Sequence, residues 1–218
     1  MNTQAARACL FDMDGTLLDS SRSFDRIWGR WAQRNGVDYT TAAAAMRGGR
    51  AVDIVRRFLP SCREPEQEAH RLEQEELRDL DDVTAISGAK EFLAKLPKER
   101  WTIVTSAIST LAFARLAAAG LPVPATLVAA EDVSEGKPSP AGYRLAASRL
   151  GCKPQECVIF EDAMPGIQAA TAAGARVIIV APRNLQTPMS FRSNMHPAIR
   201  SYDEVNVRVT ADGLILHW

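Results

Sequence analysis

Two carboxylates one residue apart, Asp12 and Asp14, follow a short apolar run near the start of the chain. If that run is a β-strand, side chains at positions i and i+2 point the same way, so both carboxylates converge at its end. Two like charges this close favour a bound cation. Gly15 and Thr16 follow, and a glycine lets the backbone turn sharply beside a ligand. An ordinary strand with an Asp-Gly turn is the alternative interpretation.

Hydroxyl groups end a second apolar run, at residues 101–105. Ser106 follows it, and serine is a common residue at the start of a helix. In a functional interpretation, the Ser106 hydroxyl and the Ala107 amide hold a phosphate oxygen, because helix N-termini favour anions.

Charged residues mark two further segments. Residues 136–138 read Gly-Lys-Pro, which places Lys137 in a rigid loop that opens a helix, although a lone lysine is more often a solvated surface charge. Another apolar run ends in Glu161 and Asp162. Since aspartate also starts helices, the acidic pair has a structural as well as a functional interpretation.

Taken together, the four segments resemble the four motifs of the haloacid dehalogenase superfamily of phosphohydrolases, in the same order, from residue 9 to about 180. Within it the chain looks most like the sugar phosphatases and glycerol-phosphate phosphatases of the beta-phosphoglucomutase-like subgroup. The resemblance implies an α/β fold, with a Rossmann-like parallel sheet flanked by helices and an inserted α-helical cap domain.

The resemblance also implies a reaction. The expected enzyme is a Mg²⁺-dependent phosphatase that hydrolyses a small sugar, polyol or glycerol phosphate monoester. Asp12 is expected to form an aspartyl-phosphate. Asp14 is expected to protonate the leaving alkoxide and then to accept a proton from the attacking water.

Ligand roles come from the same resemblance. The implied Mg²⁺ ligands are the Asp12 carboxylate, the Asp14 backbone carbonyl and Asp162, with Glu161 orienting metal-bound water. The implied phosphate-binding groups belong to Ser106, Ala107 and Lys137.

The pattern of apolar residues changes along the chain. After residue 85, strand-like runs alternate with helical stretches, which predicts a parallel sheet with helices on both faces. Residues 17–84 carry no strand pattern and several amphipathic helices, of which the charged stretch 64–82 is expected to be a solvated outer helix. We therefore predict a core of residues 1–16 and 85–218 and a helical cap of residues 17–84.

Hinges between core and cap are expected near residues 16–20 and 82–87, since such caps close over a site and exclude water. Near the C-terminus, residues 205–209 and 214–216 flank an Ala-Asp-Gly turn, which predicts a hairpin. Residues 183–200 are expected to form a surface loop.

Substrate choice is expected to depend on the cap segment 47–53. Arg50 aligns with an arginine of the glycerol-phosphate phosphatases, whereas Arg47 stands where those relatives carry histidine. Both arginines are candidates for substrate contact. A position on the cap surface is the alternative, because long cationic side chains are mostly exposed.

Composition agrees with a compact enzyme. The 218 residues are 46% hydrophobic, and 26 basic residues balance 26 acidic ones. The sequence has no long basic run and no apolar stretch near the ~20 residues that span a bilayer, so we expect neither a nucleic-acid nor a membrane partner. We expect a cytoplasmic monomer that binds a small-molecule phosphate ester, with Cys9 and Cys157 as buried thiols.

Two alternative functions stay open. One is a beta-phosphoglucomutase-like phosphomutase, which Thr16 disfavours because those enzymes often carry an apolar residue there. The other is a non-catalytic phosphate-binding protein, since a fold does not prove a function. Asp14 argues against the second and separates the chain from the dehalogenases, which lack this aspartate because a halide leaving group needs no proton.

Overall fold

A six-stranded parallel sheet forms the centre of the protein in this computed structural model, which describes residues 2–181 and 196–218. From edge to edge, its strands are β6 (Leu127–Val128), β5 (Trp101–Val104), β2 (Ala8–Phe11), β7 (Cys157–Glu161), β8 (Arg176–Val180) and β9 (Ala198–Ile199). Every residue of β2, β5 and β7 is buried. Such continuous apolar strands are typical of a parallel sheet covered on both faces. The predicted α/β core is confirmed.

Register brings the carboxyl ends of the three central strands together. Phe11 pairs with Ile103 of β5 on one side and with Phe160 of β7 on the other. The residues that follow β2, β5 and β7 therefore lie at one edge of the sheet. The flanking helices are α5 (Ala89–Ala94), α6 (Ser109–Ala118), α7 (Ala141–Arg149) and α8 (Met164–Ala172).

Four helices form a second hydrophobic cluster: α1 (Ser21–Arg34), α2 (Tyr39–Met46), α3 (Ala51–Phe58) and α4 (Pro65–Leu77). Trp28 and Trp31 of α1 are fully buried there, as their helical spacing predicts. Most of helix α4 is exposed or half-buried, as expected for an outer helix, but the burial of Glu76 was not expected. Leu72 and Glu76 are both buried, because this helix packs between α1 and the core helix α6.

A short antiparallel ribbon joins the two parts. Strand β3 (Leu18–Asp19) pairs with β4 (Thr84–Ala85), where the hinges were expected. The prediction that residues 17–84 contain no strand is wrong at both ends, because a two-residue strand is too short to show periodicity and depends on its partner for its backbone hydrogen bonds. The division into two domains stays a prediction.

A second sheet lies at the chain termini. It consists of β1 (Thr3–Ala6), β11 (Leu214–His217) and β10 (Asn206–Val209), all antiparallel. The predicted C-terminal hairpin is therefore confirmed. The predicted surface loop at residues 183–200 lies mostly outside the described residues, and its last part forms strand β9 rather than a loop.

Two smaller predictions concern the thiols and the helices. Cys9 and Cys157 are buried, as expected. Within residues 2–181 and 196–218, none of the helices combines the length and the apolar character that crossing a membrane requires.

Aromatic rings fill the core beneath the central strands. Phe92 of α5 stacks on Tyr202 with ring centroids 5.3 Å apart. It also meets the rings of Phe11 and Phe160 edge-on, at 6.2 and 5.8 Å. Such pairs add to the free energy gained from burying the rings.

We expect Phe92→Ala to lower the free energy of unfolding by about 3–5 kcal/mol, since it leaves a cavity among three rings. Phe113→Ala is the matched control, because Phe113 also lies on a core helix but is 45% exposed; its effect is expected to stay within about 0.5 kcal/mol. Urea unfolding followed by circular dichroism measures both. Equal losses would contradict the assignment of this core.

Candidate active site

Asp12, Lys137 and Glu161 meet at the carboxyl edge of the central strands. Asp12 follows β2, and its amide donates to the Phe160 carbonyl at 3.0 Å. Glu161 ends β7, and Lys137 reaches in from the loop before α7. The Lys137 ammonium bonds to Asp12 Oδ1 and, at 2.7 Å, to Glu161 Oε1. All three side chains are buried, so the sequence motifs form one buried charged cluster.

Asp162 joins the cluster from the residue after β7. Thr16 Oγ1 donates to Asp162 Oδ1 at 2.9 Å. Gly15 lies so close that a Cβ there would stand 2.1 Å from Asp162 Oδ2. The glycine of the first motif is therefore required for Asp162 to approach the turn, and the threonine holds its carboxylate.

Glu161 accepts four hydrogen bonds from the protein. Lys137 and the Tyr143 hydroxyl donate to Oε1, each at 2.7 Å, and the amides of Asp162 and Ala163 donate to Oε2 at 2.9 and 3.1 Å. Glu161 thus fixes Lys137 and the loop that carries Asp162. Its expected contact with metal-bound water stays a prediction.

The cluster holds more negative than positive charge. Oxygen atoms of Asp12, Glu161 and Asp162 lie within 4.8 Å of one another, and the Lys137 ammonium contacts the first two of these residues. Burial raises the pKa of Asp12 to about 7, opposed by Lys137 and reinforced by Glu161. Burial, with the charge of Asp12, also raises the pKa of Asp162 well above its ordinary value.

A divalent cation fits this arrangement. When all three carboxylates are ionised, one ammonium leaves two negative charges unbalanced, and carboxylate oxygens are the ligands that Mg²⁺ and Ca²⁺ prefer. The acidic cluster therefore suits a divalent metal ion. The role of the Asp14 carbonyl as a further ligand stays a prediction.

Asp14 has partners outside this cluster. Ser20 Oγ donates to Asp14 Oδ1 at 2.6 Å, and Arg115 Nη1 lies 3.1 Å from the same oxygen. β2 ends at Phe11 and Asp14 belongs to the following turn. The expectation that both carboxylates serve one cation stays a prediction. The two carboxylates have different partners and therefore suit different tasks.

The second motif lies beside a cavity that Lys137 also lines. The Ser106 hydroxyl donates to the Gly48 carbonyl at 2.9 Å, and the Ala107 amide donates to Thr105 Oγ1 at 3.1 Å. A phosphate bound by Ser106 and Ala107 must replace both contacts. Their role in phosphate binding stays a prediction.

Arg47 and Arg50 lie in different surroundings. Arg47 pairs with Asp25 at 2.6 Å within the helical segment, and its side chain is 39% exposed. Arg50 is 13% exposed and crosses to the loop before the third motif. It donates to the Val133 and Ser134 carbonyls at 3.0 and 3.1 Å. The structure therefore brings Arg50, but not Arg47, to the edge of the site, where it lines the cavity.

Several contacts of the site were not anticipated from sequence. Tyr143 lies in the first turn of α7, six residues after Lys137, and no sequence motif marks it. The position of Arg115, in contrast, could have been noticed in the sequence, because it falls between Ala112 and Leu116 on the buried face of α6. A charged residue within an apolar stripe indicates a buried ionic contact.

Comparison with known proteins agrees with this geometry. The chain belongs to the haloacid dehalogenase-like hydrolase family, whose model matches residues 6–174. The predicted family and hydrolase class are thereby confirmed.

Individual relatives narrow the comparison. The chain is 42% identical to hexitol phosphatase A of Escherichia coli, over 78% of this chain and 81% of that protein. It is 30% identical to 2-deoxyglucose-6-phosphate phosphatase 2 of Saccharomyces cerevisiae, over 77% and 76%. A crystal structure of beta-phosphoglucomutase from Clostridium difficile superposes with a TM-score of 0.77 at 20% identity, covering 92% of this chain and 93% of that one. The last match concerns the fold alone.

We expect Asp162→Asn to raise the free energy of unfolding of the metal-free protein at pH 8, by on the order of 1 kcal/mol. A carboxyl group whose folded-state pKa is raised costs stability once pH exceeds its unfolded value near 4. The gain should therefore grow from pH 4 to pH 8. Urea unfolding with a chelator measures it.

Asp132→Asn is the matched control, with the opposite sign. Arg149 lowers the pKa of Asp132, so this carboxylate contributes stability above pH 4 that is lost as pH falls through its lowered value. Asp132→Asn should destabilise the protein at pH 8. If both substitutions destabilised it, the excess negative charge assigned to the site would be wrong.

Proposed function

We propose that this protein is a Mg²⁺-dependent phosphatase that hydrolyses a small sugar or polyol phosphate monoester through an aspartyl-phosphate. The observation that carries the proposal is the Asp12 carboxylate, which is buried, bonded to Lys137 and next to two further carboxylates. A nucleophile, a phosphate-binding ammonium and a cation site thus share one edge of the sheet. The relatives that act on hexitol and deoxyglucose phosphates support the substrate class.

Charge is the first requirement of this reaction. A carboxylate that attacks a phosphate dianion meets repulsion of about 4 kcal/mol per charge pair at 4 Å and an effective dielectric constant of 20. Lys137 lies against Asp12 and offsets part of it. When bound, Mg²⁺ neutralises further charge on the phosphate and on the carboxylates. Asp12 and Asp162 are the carboxylates assigned to it.

Proton transfer is the second requirement, and we assign it to Asp14. As the bond from phosphorus to the leaving oxygen breaks, the Asp14 carboxyl group gives that oxygen a proton. Asp14 then takes a proton from the water that attacks the aspartyl-phosphate, which returns Asp12 to its carboxylate form. Its own partners suit this role, because Ser20 and Arg115 contact Asp14 and not the Asp12 carboxylate.

The helical segment covers the site. Gly48 accepts from Ser106, and Arg50 donates to the Val133 carbonyl, so α2 and α3 are joined to the loops around Lys137. A covered site excludes bulk water and leaves room for a small leaving group. We therefore assign the choice of leaving group to this segment.

Asp12→Asn is expected to lower phosphate release by at least ~10³-fold, since it removes the nucleophile. The assay measures inorganic phosphate from hexitol, hexose, pentose and glycerol phosphates, with Mg²⁺ and with a chelator. Arg7→Met is a suitable control, because Arg7 pairs with Glu156 just before β2 and β7, at the opposite end of these strands from the site. Release at the wild-type rate from Asp12→Asn would exclude the covalent mechanism.

The same assay separates the alternatives. A mutase yields an isomeric sugar phosphate in place of free phosphate, which chromatography of the products detects. A non-catalytic protein yields neither, although it binds the ester.

A pair of substitutions tests the two arginines. We expect Arg50→Met to lower kcat/KM by about 10-fold, because it removes contacts between the helical segment and the Val133–Ser134 loop. Arg47→Met should change it less than about twofold, since Arg47 is a partly exposed ion pair. Steady-state kinetics with the preferred ester measures both. Equal losses of kcat/KM in the two variants would show that the contacts of Arg50 with the Val133–Ser134 loop do not contribute to catalysis.

A further inference from the structure

A buried arginine connects Asp14 to the helical segment. Arg115 lies on the face of α6 that packs into the core, and its side chain is 5% exposed. Its Nη1 atom lies 3.1 Å from Asp14 Oδ1. Because a guanidinium taken out of water is costly unless its charge is balanced, Arg115 depends on carboxylate partners at this position.

Glu76 of α4 is the second partner. Its Oε1 lies 3.2 Å from Arg115 Nη2, and its side chain is 7% exposed. Trp28 Nε1 donates to the same oxygen at 3.3 Å. Glu76 reaches Arg115 because α4 packs against α6. A continuous set of buried contacts therefore runs from α1 and α4, through Arg115, to Asp14.

The contacts with Asp14 fix its direction. Ser20 and Arg115 both contact Oδ1 of the carboxylate. A carboxylate held through one oxygen presents the other, Oδ2, in a defined direction. Arg115 Nε and Nη2 have no hydrogen-bond partner among the described residues, so Nη2 contacts Glu76 as an ion pair rather than through a hydrogen bond.

We propose that Arg115 is a positioning residue that orients Asp14 for proton transfer, and that Glu76 makes this orientation depend on the docking of α4 against α6. The inference rests on the proposed function, in which Asp14 protonates the leaving oxygen. Docking of the helical segment then completes the acid-base group as well as covering the site. Closure and proton transfer are linked through one guanidinium.

The nature of the leaving group provides the test. An alkoxide needs a proton as it departs, whereas p-nitrophenolate departs without one. A misplaced Asp14 should therefore slow the first step for an alkyl phosphate and spare it for p-nitrophenyl phosphate. Since kcat/KM reports the steps up to departure of the leaving group, its ratio for the two esters isolates the placement of Asp14.

We expect Arg115→Met to lower kcat/KM for glucitol 6-phosphate by about 10- to 100-fold and for p-nitrophenyl phosphate by less than about twofold. Asp14→Ala removes the carboxylate altogether and therefore gives the largest expected change in the ratio of kcat/KM between the two esters. Glu76→Gln should show the same pattern at smaller size, and Arg115→Lys should restore part of the loss. Arg7→Met is the matched control and should leave the ratio unchanged, because Arg7 pairs with Glu156 at the opposite end of the strands.

The possible outcomes are distinct. Parallel losses for both esters in Arg115→Met and Glu76→Gln would overturn the inference, because a merely structural role lowers both. So would an unchanged ratio in variants that fold. If Arg115→Met does not fold, as thermal unfolding shows, Glu76→Gln keeps the test decisive. A wild-type protein inactive on both esters would overturn the proposed function and this inference with it.

Discussion

Three carboxylates at the ends of β2 and β7 face the ammonium group of Lys137, and this imbalance of buried charge constrains the structure around it. Without a bound cation, this buried charge lowers the stability of the folded protein. Neighbouring residues are therefore constrained to keep the carboxylates in place. Gly166 is an example, because a Cβ there would lie 1.6 Å from Glu161 Oε1. Helix α8 approaches the carboxylate closely only because this residue lacks a side chain.

Much of this arrangement was predictable because it is local in sequence. Strands of a parallel sheet read as apolar runs, and the residue after each run lies at the carboxyl edge. Asp12, Lys137 and Asp162 could thus be placed at one edge without knowledge of any contact. The amphipathic stripe of α1 was equally local, since Trp28 and Trp31 repeat with the helical period.

The remainder depends on contacts between distant segments, which no local pattern records. Glu76 looked like one more charge on a solvated helix, and its burial depends on the packing of α4 against α6. Ser106 appeared free to bind a ligand, whereas its partner Gly48 comes from a loop 58 residues away in sequence. Asp14 followed a strand that ended sooner than its alternation suggested. In each case the surroundings of the side chain depend on tertiary packing, which the periodicity of the sequence does not reveal.

The β3–β4 ribbon has a consequence for how the protein can vary. The chain enters the helical segment through Leu18–Asp19 and leaves it through Thr84–Ala85, and these two strands pair with each other. Entry and exit therefore share one attachment point, so insertions, deletions or wholesale replacement of the helices between them need not disturb the register of the parallel strands. New leaving-group preferences can then arise by exchange of the inserted piece, provided that the new piece also presents a carboxylate to Arg115, as Glu76 does here.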